Sequence, residues 1–69
     1  MTLHEAIAQV LRENGGPMTT REIADAVNGA QLYSRNDGKP VPISQINARV
    51  NNYFRLFDRV DGKIVLQET

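Results

Sequence analysis

The sequence predicts an α+β fold: three helices, with a short extended segment before the third, and then a C-terminal β-hairpin. Two segments in the first half open with a Thr-x-x-Glu capping pattern and continue with apolar residues at helical spacing. A third segment repeats the helical spacing without any acidic residue. Near the C-terminus an Asp-Gly pair divides two short apolar runs, which is the pattern of a tight hairpin.

The first helix is predicted to begin after Thr2, and Glu5 completes its capping box. Apolar residues at i, i+4, i+7 and i+8 form one stripe, namely Leu3, Ile7, Val10 and Leu11. The Asn-Gly-Gly-Pro run at 14–17 should end the helix, because glycine adopts left-handed conformations readily and proline cannot continue a helix. His4 is expected in solvent on the far side of the first turn.

The second helix carries the same capping pattern, with Thr19 as the cap and Glu22 three residues later. Met18 and Ile23 have the spacing of a hydrophobic staple, in which the residue before the cap packs on the first full turn. The predicted buried face is Ile23, Ala24 and Val27. Asn28-Gly29 is predicted to end the helix.

Residues 29–42 are predicted to form a loop, because they are rich in turn-forming residues. Asn36-Asp37-Gly38 is the expected turn, and Leu32 and Tyr33 are expected to pack against the core. Residues 39–42 should be extended, because a residue that precedes proline is kept out of the helical region.

The third helix is predicted to run from about Ile43 to Tyr53. Its apolar side should consist of Ile43, Ile46, Val50, Tyr53 and Phe54. The opposite side holds Ser44, Gln45, Ala48, Asn52 and Arg55, with Arg49 and Asn51 on the flanks and Asn47 partly buried at the apolar edge.

The hairpin prediction rests on Asp61-Gly62, because this pair suits the type I′ turn whose twist matches two paired strands. Apolar contacts to the helices are expected from Leu56, Phe57, Val60, Ile64 and Leu66. This order of elements is that of a winged helix-turn-helix, built as a single domain over residues 1–69.

Composition argues against several functional classes. The 69 residues include no cysteine and one histidine, so neither a disulfide framework nor a metal site is predicted. No nucleophile–base pair and no glycine-rich phosphate loop is recognisable, so we expect neither an enzyme nor a bound cofactor. Both tyrosines are expected at the core edge and both phenylalanines in the core, which argues against a stacking surface for single strands.

Apolar runs are too short to span a membrane, and no signal-peptide pattern opens the chain. The expected location is the cytoplasm, with association to the nucleoid if the source is bacterial.

Charge is distributed unevenly along a chain whose formal net charge is zero. Residues 1–34 carry two cations and four acids, whereas residues 35–69 carry six cations and four acids. Between Arg35 and Arg55 the single acid is Asp37. The zero net charge argues against strong nonspecific binding of polyanions, but the positive charge collects around the third helix.

The chain also resembles a known family through three segments, LHEAIAQVLRENGGPMTTREIADAVN, LYSRNDGKPVPISQINARVNNY and LFDRVDGKIVL. These resemble the HARE-HTH family, which includes domains of restriction-endonuclease-linked bacterial proteins, Additional sex combs-like chromatin proteins and the delta subunit of bacterial RNA polymerase. The resemblance covers residues 3–66, and its most specific part is residues 37–50. It implies a winged-helix fold, a DNA-associated role for many members, and modified DNA as a further ligand.

The third helix has the chemistry of a DNA-reading helix on its outward side. Asn and Gln can pair with adenine, Arg with guanine and Ser with several bases, while a small residue lets the backbone approach. Phosphates could be held by the start of the second helix and by cations of the loop. The candidate contacts to double-stranded DNA are Thr20, Arg21, Arg35, Lys39, Ser44, Gln45, Ala48, Arg49, Asn52 and Arg55.

Competing interpretations remain open at this point. The outward face of the third helix could be solvated or bind protein, the loop could be merely solvated, and the acids Asp58 and Asp61 leave the wing nearly neutral beside Arg59 and Lys63. A second functional class is a protein-interaction module for RNA polymerase or another transcription or chromatin assembly. Its docking face for a basic partner would be the acidic first half of the chain.

Overall fold

The computed structural model describes residues 1–67, which form three helices followed by a two-stranded antiparallel sheet. The helices are α1 (Leu3–Asn14), α2 (Thr20–Gly29) and α3 (Ile43–Asn52), and the strands are β1 (Phe57–Val60) and β2 (Lys63–Leu66). This arrangement confirms the predicted α+β winged-helix fold, in which the hairpin is the wing.

Both predicted capping boxes are present. In α1 the Thr2 hydroxyl accepts a hydrogen bond from the Glu5 N–H, and the Glu5 carboxylate accepts one from the Thr2 N–H at 2.9 Å. In α2 the Thr19 and Glu22 pair is arranged in the same way, with distances of 3.1 and 2.8 Å. These reciprocal bonds satisfy main-chain donors that have no partner within the helix.

The hydrophobic core is shared by all three helices and both strands. Every apolar residue predicted to be buried in α1 and α2 is buried, and α3 contributes Ile46 and Val50. Val41, just before α3, and Met18, just before α2, are also buried. The largest side chains that are fully buried within residues 1–67 are Leu3, Ile7, Ile23, Val27, Ile46 and Ile64.

The hairpin has the predicted turn. Asp61 and Gly62 have positive φ angles of 53° and 78°, as a type I′ turn requires, and Val60 pairs with Lys63 across it. The sheet is also tied to the helices by a bridge that the sequence did not reveal. Met18 donates to the Ile64 carbonyl at 3.0 Å, and Ile64 donates back at 2.7 Å.

The predicted apolar side of α3 is too wide. Phe54 is 69% exposed, so its predicted placement in the core was wrong. Ile43 and Tyr53, which were predicted on the apolar side, are 41% and 37% exposed and lie outside the core, Tyr53 having been expected at its edge. The helix ends at Asn52, and Tyr53 has φ −117° and ψ 50°, outside the helical region. The angular spacing of helical residues therefore no longer applies at Phe54, which lies in the turn after the helix.

Val60 was also wrongly expected to contact the helices, since it is 48% exposed. Successive side chains of a strand point to opposite faces. Phe57 is 2% exposed and faces the core, so Asp58 and Val60 face the other way. Arg59 is on the same face as Phe57.

The loop between α2 and α3 is anchored at its far end. The turn predicted at 36–38 is present, with Gly38 donating to the Arg35 carbonyl at 3.0 Å, and Leu32 and Tyr33 pack against the core as predicted. At Val41 the Asn28 carboxamide accepts a hydrogen bond from the main-chain N–H at 2.9 Å and donates one to the carbonyl at 3.1 Å. Pro42 then continues in the predicted extended conformation as the N-cap of α3.

Replacing Asn28 should destabilise the domain, because the Val41 main chain would lose both hydrogen bonds at a partly buried site. We expect Asn28→Ala to lower the free energy of unfolding by about 2–3 kcal/mol, measured by urea denaturation. Asn52→Ala is the matched control, because Asn52 is exposed, and it should change the free energy by less than about 0.5 kcal/mol. Equal effects of the two substitutions would contradict this role of Asn28.

The α2 capping box predicts a contribution to stability that depends on pH. The pKa of Glu22 is lowered from 4.5, chiefly by the hydrogen bond from the Thr19 main chain and next by the Thr19 hydroxyl. Since the folded state has the lower pKa, the contribution is complete above the unfolded value and is lost as the pH falls through the folded value. In urea denaturation between about pH 7 and pH 3, the advantage of the native protein over Glu22→Gln should shrink as the pH falls. A difference that does not change with pH would contradict this explanation.

Candidate nucleic-acid interface

The exposed side of α3 is uncharged at its centre. Ser44, Ala48 and Asn52 are all exposed and are spaced four residues apart, so they follow one another along the helix. Gln45 and Arg49 are half-buried on the flank of this row. The helix rests on the core through Ile46 and Val50 and contains no acid. We call Ser44, Gln45, Ala48, Arg49 and Asn52 the α3 face.

Four predicted cations have side chains that are free to bind an anion. Within residues 1–67 no hydrogen bond or ion pair engages the charged groups of Arg21, Lys39, Arg49 and Arg55. Arg49 lies on the α3 face, Arg55 follows the helix, and Lys39 lies in the loop before it. Arg21 is exposed in the first turn of α2.

Arg35 differs from these four cations. Its Nη2 atom lies 2.9 Å from a carboxylate oxygen of Asp37, and Nη1 donates to the Pro40 carbonyl at 3.4 Å. The other Asp37 oxygen accepts the main-chain N–H of Lys39 at 3.0 Å. Asp37 therefore offsets the charge of Arg35 and turns its guanidinium back into the loop, although Arg35 still borders a shallow cavity with Tyr33 and Gln45.

The start of α2 already carries a carboxylate beside the predicted phosphate contacts. Thr20 is half-buried, and the Glu22 carboxylate accepts the Thr19 N–H at the helix end. The hydrogen bonds from Thr19 favour the ionised form of this carboxylate and lower the pKa of Glu22, and its negative charge opposes a second anion there. Arg21 remains as the cation that extends from this turn.

A contact between the wing and α3 was missed by the sequence analysis. Arg59 Nη2 donates to the Oδ1 atoms of Asn47 at 3.2 Å and of Asn51 at 3.1 Å. Asn47 is half-buried, as predicted. The alternation of strand side chains after Phe57 could have placed Arg59 toward α3. Which side chains of α3 accept its hydrogen bonds depends on the tertiary packing and could not be predicted from local sequence. Two of the amides on α3 therefore hold the wing.

His4 was expected in solvent on the far side of the first turn of α1, but it contacts the end of α3. It is half-buried and its ring stacks on that of Tyr53, with centroids 4.0 Å apart and an angle of 19° between the planes. The stack places the Tyr53 ring against the first turn of α1, at the edge of the core.

Three of the four acids in the first half of the chain accept hydrogen bonds within the domain. Glu5 and Glu22 each accept hydrogen bonds in a capping box, and Glu13 accepts one from the Gln9 amide at 3.3 Å. Asp25 is exposed on α2.

Residues 1–67 contain no cluster of His, Cys, Asp or Glu side chains placed to hold a metal ion. No helix in this part of the chain has the length and apolar character needed to cross a bilayer.

These features define a winged helix-turn-helix domain with an exposed, acid-free third helix. The model of the HARE-HTH family, the helix-turn-helix domain of ASXL and restriction endonuclease proteins, matches residues 1–69. The chain belongs to this family, which is a helix-turn-helix family that generally binds DNA and is not a catalytic one. A search of the curated proteins and a search of the solved structures each gave no significant match.

Proposed function

We propose that the domain binds double-stranded DNA with α3 in the major groove and so brings a larger protein or a partner to DNA. The observation that carries this proposal is the α3 face, which is free of acids and is accompanied by cations that have no partner within residues 1–67. A major groove about 12 Å wide admits one helix, and its base edges are read by amides, hydroxyls and arginine.

Each residue has a chemical role in this proposal. Gln45 and Asn52 can pair with adenine, Arg49 with guanine, and Ser44 with several bases, while Ala48 lets the helix backbone approach. The phosphate contacts come from Arg21, Lys39 and Arg55, whose side chains have no partner among the described residues. The catalytic activity of any associated restriction, modification or transcription system would reside in another domain or protein. The winged-helix domain itself would act in the cytoplasm and, in a bacterium, on the nucleoid.

The first test is a titration of the isotope-labelled domain with duplex DNA at low salt, monitored by amide chemical shifts. We expect shifts in residues 35–55 and around Thr20, and we expect added salt to reverse them. A cytosine-methylated duplex gives the second arm, in which different shifts would support recognition of modified DNA. Absence of shifts at millimolar DNA would overturn the proposal.

Loss of single base contacts should be measurable on the α3 face. We expect Gln45→Ala and Arg49→Ala each to weaken binding by about 1–3 kcal/mol, as determined by titration calorimetry. Gln9→Ala is the matched control. Gln9 lies on α1, where its amide donates to Glu13, and its replacement should leave DNA binding unchanged. If both α3 variants bound DNA as tightly as the native protein, base reading by α3 would be abandoned.

The salt dependence should report the unpaired cations. The three phosphate contacts from Arg21, Lys39 and Arg55 should contribute about −3 to the slope of log K against log [salt]. Asp37→Asn should release Arg35 and steepen the slope by about 0.9, while the asparagine oxygen can still accept the Lys39 N–H. Asp25→Asn removes the same charge without releasing an arginine and is the control. An equal slope change in both variants would mean that Arg35 gains no phosphate contact.

A second candidate function is docking on a transcription or chromatin protein, and the exposed apolar residues favour it. Phe54 and Ile43 are 69% and 41% exposed at the two ends of α3, and exposed apolar side chains can mark a protein interface. In the DNA titration this candidate predicts no change, and Phe54→Ser should then abolish partner binding without affecting the fold.

A further inference from the structure

The contact between Arg59 and α3 leaves most of the guanidinium unused. Nη2 is bonded to the oxygens of Asn47 and Asn51, whereas Nη1 and Nε have no hydrogen-bond partner within residues 1–67. Both acceptors are neutral amides, so the full positive charge remains uncompensated by them. Arg59 differs in this respect from Arg35, whose charge is offset by the carboxylate of Asp37.

The position of Arg59 matters as well as its charge. Asn47 and Asn51 lie along one edge of the α3 face, and Arg49 lies along the other edge. A helix with its side chains is about 10 Å across, and it nearly fills a groove about 12 Å wide. The phosphates of the two strands then border the helix on both sides, so a cation is needed at each edge.

We propose that Arg59 binds a backbone phosphate at the wing-side edge of α3, and that Asn47 and Asn51 are positioning residues that hold its guanidinium there. The inference rests on the proposed function. It changes the expected role of both asparagines, because their Oδ1 atoms are engaged in the protein and do not read bases. It also gives the nearly neutral wing one directed contact with DNA.

The acid next to Arg59 does not compete for its side chain. Asp58 Oδ1 accepts the main-chain N–H of Arg59 at 2.8 Å, and no ion pair joins the two side chains in the described part of the chain. The unused guanidinium edge lies beside a shallow groove on the α3 side, which Val50, Phe54, Phe57 and Asp58 also line. Asp58 is engaged there through its bond to the main chain of Arg59 and leaves the guanidinium without an ion pair among the described residues.

The test compares Arg59→Gln with Lys63→Gln, which removes the same charge from the opposite strand of the same hairpin. Lys63 is exposed and acts electrostatically on Glu22 of α2, so it should not contact the same phosphate. The domain is titrated with a short duplex at several salt concentrations, and amide spectra of each variant check that the fold is intact.

Arg59→Gln should reduce the magnitude of the salt slope by about 0.9 and weaken binding at low salt about three- to tenfold. Lys63→Gln should leave the slope unchanged. Equal slope changes in the two variants would overturn the proposed contact while leaving DNA binding by α3 intact. Failure of the native domain to bind DNA would instead overturn the proposed function itself.

The positioning role of the two amides has its own readout. The double substitution Asn47→Ala and Asn51→Ala keeps every charge, so it should keep the native salt slope but weaken binding about threefold, because the guanidinium is no longer held in place. In the free native protein, side-chain spectra should show slow rotation of the Arg59 guanidinium, and the double variant should lose this signature. Fast rotation in the native protein would contradict the positioning role.

Discussion

Two hydrogen bonds between the Asn28 carboxamide and the main chain of Val41 tie the end of α2 to the segment that leads into α3. Asn28 lies near the end of α2, and Val41 lies two residues before α3, so the pair fixes the second helix relative to the third. The buried Val41 side chain reinforces this link from the core side. The intervening loop can therefore be irregular and polar without loosening the helix that it leads into.

The hairpin is also fixed by contacts with residues distant in sequence, one on each strand. The bridge between Met18 and Ile64 joins β2 to the segment before α2, and the bonds from Arg59 join β1 to α3. A two-stranded hairpin is marginally stable by itself, and these contacts on both strands give it a defined angle to the helices. The exposed α3 face and the wing thus form one surface with a fixed shape.

Local spacing rules account for the part of the fold that the sequence predicts. The capping boxes, the apolar stripes of α1 and α2 and the Asp-Gly turn each depend on residues within a few positions of one another. The errors in predicted burial arise where the helical spacing no longer applies. At Tyr53 the backbone leaves the helical region, so the positions of the residues that follow cannot be read from that spacing. Val60 was predicted to contact the helices because it is apolar, although the alternation of side chains along β1 places it on the face opposite Phe57.

The candidate site is less predictable than the fold. The residue types of the α3 face could be recognised from sequence, and the exposure of Ser44, Ala48 and Asn52 follows from helical geometry. The partners of Arg59 and Asn28 could not be recognised, because they are separated by eight or more positions along the chain. The pair Arg35 and Asp37 is different, since the two residues are close in sequence and their mutual neutralisation was foreseeable.

The start of α3 differs from those of α1 and α2 in lacking a side-chain cap, because its N-cap is Pro42. The main chain of Val41 and the buried residues beneath the helix hold it instead. Residues 44, 48 and 52 are exposed and therefore contribute little to the stability of the fold. A lineage could exchange the chemistry of these three positions, and with it the ligand that the helix recognises, while the scaffold continues to fold.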